Sequence, residues 1–192
     1  MEDAVRVATV EDRDAVVATI VAAFEHDPAL RYFFPDDDRY AVQATAFFGA
    51  LFDRRVGHGT VWVHGPADAV AMWSPPSPST PSATGHAAWP DVIGPAELAR
   101  IDAYQSVVDE LLPDVAENWY LGVLATLPER RGCGLGQVLM RAGLAGVGTG
   151  AAHLETTNAG NVGYYESAGW EVVASNDGGA PLPIWVLRHH GR

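Results

Sequence analysis

Leu121-Gly-Val-Leu-Ala-Thr-Leu-Pro-Glu-Arg-Arg-Gly-Cys-Gly-Leu-Gly136 is the stretch that decides the fold. Asn118–Thr126 reads as a buried strand, and Pro128 stops it. Arg130 and Arg131 follow, then Gly132, Gly134 and Gly136, and Leu135–Leu144 resumes helical spacing. Glycines let a backbone approach a ligand closely and take positive φ. Unpaired amides at the start of the next helix form an anion site, and two arginines beside it add charge. By construction this is a pyrophosphate cradle.

Two nucleotide signatures are excluded. No Gly-Lys-Ser/Thr is present, which removes a P-loop. The spacing of Gly132, Gly134 and Gly136 is G-x-G-x-G, and Leu139 occupies the third-glycine position counted from Gly134. The dinucleotide fingerprint is therefore not met, and the loop lies late in the chain rather than after a first strand.

Outward from this segment, the chain alternates strands and helices. Ala4–Thr9 reads as a strand and Glu11–Glu25 as an amphipathic helix ended by Asp27-Pro28. Leu30–Pro35 reads as a loop or short turn, and a second helix runs from Asp36 to Arg55. Thr60–His64 and Ala69–Trp73 form a hairpin around Gly65-Pro66-Ala67-Asp68. Ser74–Pro90 is a long loop rich in Pro, Ser, Gly and Thr, of the kind that tends to be functional. Pro95–Leu112 is a helix, Ala151–Thr156 a strand and Asn161–Ala168 a short helix; Trp170–Ala174 and Pro183–Arg188 close the chain as strands. The order predicts one mixed α/β (α+β) domain over residues 1–192, built on a largely antiparallel central sheet.

The 192 residues carry 24 acidic and 12 basic side chains, a formal charge of −12. Every basic residue is arginine. Such acidity argues against a nucleic-acid binder or an anionic-membrane surface and favours cationic partners. The single cysteine, Cys133, allows no internal disulfide, no signal-like segment opens the chain, and no apolar run spans a membrane. The expectation is a cytoplasmic protein without a metal, monomeric or homodimeric. His189 and His190 would point to opposite faces of a strand, so they make no metal pair.

Arg131-x-x-Gly134-x-Gly136 after a strand and Pro128 resembles the acyl-CoA loop, Q/R-x-x-G-x-G/A, of the GNAT acetyltransferases. The segment Leu154–Trp170, with an Asn followed by Tyr165-Glu-x-x-Gly-aromatic, resembles that superfamily's later motif. Val5-Arg-Val-Ala-Thr, Ala22-Ala-Phe before Asp-Pro, Val61-Trp-Val, Ala69-Val-Ala-Met-Trp73, Trp119-Tyr-Leu and Leu154-Glu-Thr are similar to puromycin N-acetyltransferase-like enzymes. The resemblance implies a sheet of about seven strands flanked by helices and splayed at an acetyl-CoA site. It implies acetyl transfer to the primary amine of a small molecule, such as an antibiotic or aminated metabolite. A protein or peptide N-acetyltransferase and a non-catalytic acyl-CoA sensor are the alternatives.

By the same match, Leu124, Ala125 and Thr126 would face the thioester arm of the acetyl-CoA. Arg131, Gly132, Gly134, Leu135, Gly136 and Gln137 would hold the phosphates, with Asn158 and Asn161 near the arm. Tyr165, at the Tyr-Glu position, is the candidate acid toward the leaving thiolate; Tyr164 is expected to pack. Glu155, at the end of its strand, is the candidate base or amine ligand, ahead of His26 and His64. Cys133 stands where the superfamily often carries a basic residue, a loss Arg130 could offset, and direct transfer is preferred over an acyl-cysteine. Phe33, Phe34, Trp73, Tyr104, Trp119 and the Ser74–Pro90 loop are the candidate substrate-pocket residues.

Overall fold

The computed structural model describes residues 5–76, 89–112, 118–147, 150–176, 178 and 181–190. Its strands are β1 (Val5–Val7), β2 (Val61–His64), β3 (Ala69–Ser74), β4 (Asn118–Thr126), β5 (Ala151–Thr156), β6 (Glu171–Ser175) and β7 (Trp185–His190). Its helices are α1 (Arg13–Ala23), α2 (Pro28–Phe33), α3 (Asp37–Val56), α4 (Pro95–Leu111), α5 (Leu135–Val147) and α6 (Ala159–Glu166). The strands form one sheet in the order β1-β2-β3-β4-β5-β7-β6, and every neighbouring pair is antiparallel except β4 with β5. No helix among the described residues is long and apolar enough to cross a membrane.

The sheet carries an apolar layer on each face. On one, Val16 and Ile20 of α1 and Phe48 and Phe52 of α3 pack over Val63, Val70 and Met72. On the other, Leu139 and Met140 of α5 pack over Ala69, Ala71 and Trp73. A side chain at Gly143 would overlap the Trp73 indole, so α5 can lie on the sheet only with glycine there.

Two departures from regular pairing position the site. The first is a bulge: Met72 pairs with Val123 and Trp73 with Leu121, leaving Gly122 without a partner on β3. The bulge turns Leu121 and Val123, two residues apart on one strand, to opposite faces. The second is a splay. β4 and β5 pair only through Asn118–Tyr120 with Ala151–His153, after which β5 stays with β7 and β4 continues to Thr126. The parallel strands part and leave a gap in mid-sheet.

Leu30–Pro35 is not the loop the sequence suggested. The Asp27 carboxylate accepts the Ala29 and Leu30 amides, Pro28 sits at the first helical position, and α2 follows. Asp-Pro therefore opens a helix as well as ending one. The first helix also starts later than expected. A turn at Val10–Asp12 precedes it, where Asp12 accepts the Thr9 amide and binds Arg6 through both carboxylate oxygens. Asn158 caps α6 by accepting the Gly160 amide, which moves that helix start forward to Ala159.

Candidate active site

The splay opens a cleft of about 750 Å3 on the α5 side. Gly132 and Gly134 stand at φ +79° and +76°, a region L side chains rarely adopt, and both face open space. They turn the chain so that α5 begins at the cleft wall, lined there by Leu135, Gly136 and Gln137. Leu124, Ala125 and Thr126, beyond the reach of β5, form the opposite wall. Arg131, Asn158 and Asn161 complete the rim. All eleven residues expected to hold the acyl-CoA therefore meet at one cleft.

The two arginines are less free than their charges suggest. Arg131 donates to the carbonyl of Ala23 at the end of α1, 2.8 Å away, which ties the loop to that helix. Arg130 is paired with Asp68 at 2.9 Å, so its charge is already matched. Cys133 is exposed and lies outside the cleft lining. Tyr164, expected to pack, instead lines the cleft, and a Cβ on Gly136 would stand 2.6 Å from its hydroxyl.

A second, more enclosed cavity of about 150 Å3 lies beneath α2, α3 and α4. Phe24, Asp27, Leu124, Asn161 and Tyr165 belong to both linings, so the two spaces share a wall. Glu155 lines the cavity. The Tyr120 hydroxyl donates to its Oε1 at 2.6 Å and the Tyr104 hydroxyl at 3.4 Å, while Oε2 is buried without a partner. Burial pushes the Glu155 carboxyl up to about 7, against the downward pull of the two phenols. The Tyr120 ring stacks on His153, whose own pKa burial lowers to about 4, so the imidazole beneath it is neutral. Burial raises the Tyr165 phenol well above 10, so it keeps its proton throughout the neutral range.

Asp27 and Tyr120 were missed by sequence reasoning. Asp27, the cap of α2, stands in the wall common to both spaces, and burial raises its pKa. The helix-capping chemistry of Asp-Pro was the available signal. For Tyr120 no local signal exists, because its partner lies 35 residues away.

The aromatic candidates divide. Phe33 and Tyr104 line the cavity, with their rings edge to face at 5.2 Å. Phe34 is fully buried in the core against Phe47 and lies outside the lining. Trp73, 1% exposed, is on the far face under α5, stacked on Trp170. Trp119 packs with that same far cluster. The structure thus does not bring these three to the cavity: alternation along β3 and β4 turns both tryptophans away from it. His64 likewise lies outside both linings, whereas His26 is in the cleft wall. Of the Ser74–Pro90 loop, residues 77–88 lie outside the described residues.

No protein-family model matches the chain. Solved structures do resemble it in fold. The "histone acetyltransferase HPA2 and related acetyltransferase" of Corynebacterium glutamicum superposes with a TM-score of 0.73 at 23% identity, covering 100% of this chain and 98% of that one. Arylalkylamine N-acetyltransferase 2 of Aedes aegypti gives 0.68 at 11% identity over 98% of both chains. The C-terminal condensation domain of Ebony, in complex with beta-alanyl-dopamine, gives 0.74 at 10% identity over 97% of both. At these identities the likeness is one of architecture: the chain has the GNAT fold, with its seven-stranded, mostly antiparallel sheet and its helices on both faces.

Proposed function

We propose that this chain is an acetyl-CoA-dependent N-acetyltransferase acting directly on the primary amine of a small molecule. The observation that carries the reading is the shared wall: an anion-binding cleft and an acid-lined cavity meet at Asp27, Asn161 and Tyr165.

The cleft fits acetyl-CoA by its own chemistry. Gly132 and Gly134 leave room for phosphate, the first amides of α5 supply donors, and Arg131 stands at the rim. The splayed length of β4 offers backbone groups that β5 does not use. When bound, acetyl-CoA supplies an activated acyl group; the chain's residues do the rest. An amine arrives protonated and must lose its proton to attack. Glu155, with a pKa of about 7 and an unpartnered oxygen, can accept that proton directly or through a water. Tyr104 and Tyr120 hold the carboxylate in place. Tyr165, protonated and in both linings, can donate to the departing sulfur.

A cavity of about 150 Å3, more enclosed than the cleft, favours a small acceptor over a peptide. A buried carboxylate poised near neutrality, which mere acyl-CoA binding would not require, favours an enzyme over a sensor. The narrower likeness to puromycin N-acetyltransferase-like enzymes rests on short sequence segments and makes aminated antibiotics one part of the acceptor panel.

The test has two readouts. Acetyl-CoA is expected to raise the melting temperature. Free CoA should be released with at least one amine from a panel of puromycin, aminoglycosides, amino acids, polyamines and peptides. No thermal shift with acetyl-CoA overturns the cofactor assignment, and turnover on peptides alone overturns the small-molecule reading.

A further inference from the structure

Arg55 is an anomaly in this chain. It lies on α3, is 8% exposed, and lines the cavity that holds Glu155. Its Nε donates to Ser74 Oγ at 3.1 Å and its Nη1 to the Leu51 carbonyl at 3.1 Å. Among the described residues no carboxylate pairs with the guanidinium, whose hydrogen bonds come from Nε and Nη1. A buried cation without a counter-ion is costly, and in a chain with twice as many acids as bases it is easily avoided. Neutral hydrogen bonds hold the group but do not balance its charge.

The same cavity has acids elsewhere in its wall. Glu155 carries an unpartnered oxygen, and Asp27 stands at the junction with the cleft. Between these polar groups the lining is apolar: Leu30, Phe33, Phe47, Phe48, Leu51 and Ile101. A simple alkylamine or arylalkylamine would satisfy the acids and leave Arg55 uncompensated. An α,ω-diamine would bring a second ammonium toward it. A zwitterion with an apolar middle matches all three features at once.

We propose that the acceptor is an amino carboxylate, its amine at the Asp27–Glu155 side and its carboxylate on the Arg55 guanidinium. This rests on the acetyl-transfer reading and deepens it by assigning a substrate class. A guanidinium in the cavity wall with no carboxylate paired to it is suited to charge-assisted hydrogen bonding with a carboxylate. It also rejects diamines by like-charge repulsion, so specificity comes from an attractive and a repulsive element together.

The experiment compares matched acceptors. ω-Amino acids with two to six methylenes are set against n-alkylamines and α,ω-diamines of the same length, and 4-(aminomethyl)benzoate against benzylamine, with CoA release as readout. At the best length, kcat/KM for the amino carboxylate is expected to exceed that of the alkylamine at least tenfold, with the diamine poorest. In Arg55→Gln the ratio of carboxylate to alkylamine should fall toward one; Arg55→Lys should keep part of it. A wild-type preference for alkylamines or diamines at every length overturns the proposal, whether or not a variant folds. So does a ratio unchanged in Arg55→Gln. Titration calorimetry of 4-(aminomethyl)benzoate against benzylamine reads the cavity without turnover, and equal affinities overturn the proposal there too. If the acetyl-transfer reading fails, no amine releases CoA and acetyl-CoA gives no thermal shift; the calorimetric comparison still decides the carboxylate preference.

Discussion

The cleft and the cavity are built in different ways. The cleft is mostly backbone: two positive-φ glycines, the first turn of α5 and the splayed half of β4, supplied largely by one run from Leu124 to Gln137. The cavity is mostly side chains, brought by α2, α3, α4, α6, β4 and β5 from positions as distant as Asp27 and Tyr165. A site made of backbone tolerates changes in surrounding side chains. A side-chain site can be re-specified one residue at a time. Mutations should therefore split cleanly, with cavity changes acting on kcat and acceptor choice and cleft changes acting on the KM for acetyl-CoA.

The largest effect is expected from Glu155→Gln, which removes the proposed base. We expect kcat to fall by about 100-fold or more, with the KM for acetyl-CoA little changed. A KM effect equal to the kcat effect would break the division. Wild-type kcat should rise with pH through about 7, because only the ionised carboxylate accepts a proton. The same carboxyl has a stability consequence of definite sign. Its folded pKa, about 7, lies above the ordinary value of 4.5. Across that interval the folded chain binds more protons than the unfolded one, so stability falls as pH rises and levels off above pH 7. The loss is on the order of 3 kcal/mol. Glu155→Gln should lack this fall, which unfolding titrations at pH 4.5 and 8 would read.

On the cleft side, Gly134→Val forces a β-branched residue to φ +76°. The loop should relax away from the phosphate position, raising the KM for acetyl-CoA about tenfold with kcat for saturated enzyme within a few-fold of wild type. Initial rates at varied acetyl-CoA decide this, and a pure kcat loss would show that the loop also shapes the cavity.

Tyr120→Phe sharpens the comparison from within the cavity. It deletes the 2.6 Å hydrogen bond to Glu155 Oε1, an interaction that favours the ionised carboxylate. The midpoint of the kcat–pH profile should move upward, by about one unit or less, so the variant is slow at pH 7 and recovers by pH 9. A merely structural role would lower the profile without moving it.

Legibility followed the same divide. The glycine-loop segment announced itself because its determinants are adjacent: β4 and β5 have the expected bounds, and α5 begins at the expected residue, Leu135. Tyr165 is put forward by its place in the Tyr-Glu motif and Glu155 by its place at the end of its strand, and both line the cavity. Trp73 and Trp119 were misassigned to the pocket because composition says which residues are large but not which face they occupy. The only sequence mark of the bulge that turns the strand over is Gly122 itself, an isolated glycine inside a strand. In sequence Arg55 is one of two basic residues in the last turn of α3, where a cation is favourable for the helix dipole alone. Its significance depends on what is not beside it, and only packing reveals that.

The smallest expected effect tests whether charge near the cleft is enough to count as binding. Arg130 lies in the cleft wall but is paired with Asp68, the residue whose backbone carbonyl accepts the Leu127 amide. A paired, half-exposed arginine offers little to a phosphate, and exposed ion pairs contribute little to stability. Arg130→Ala should change the KM for acetyl-CoA by about twofold or less. Asp68→Asn keeps the backbone contact and frees the guanidinium, and should lower that KM by a similar factor, more so at low salt where screening is weak. If Arg130→Ala instead raises the KM as much as Gly134→Val does, the cleft depends on side-chain charge as the cavity does, and the contrast between a backbone site and a side-chain site fails at its weakest point.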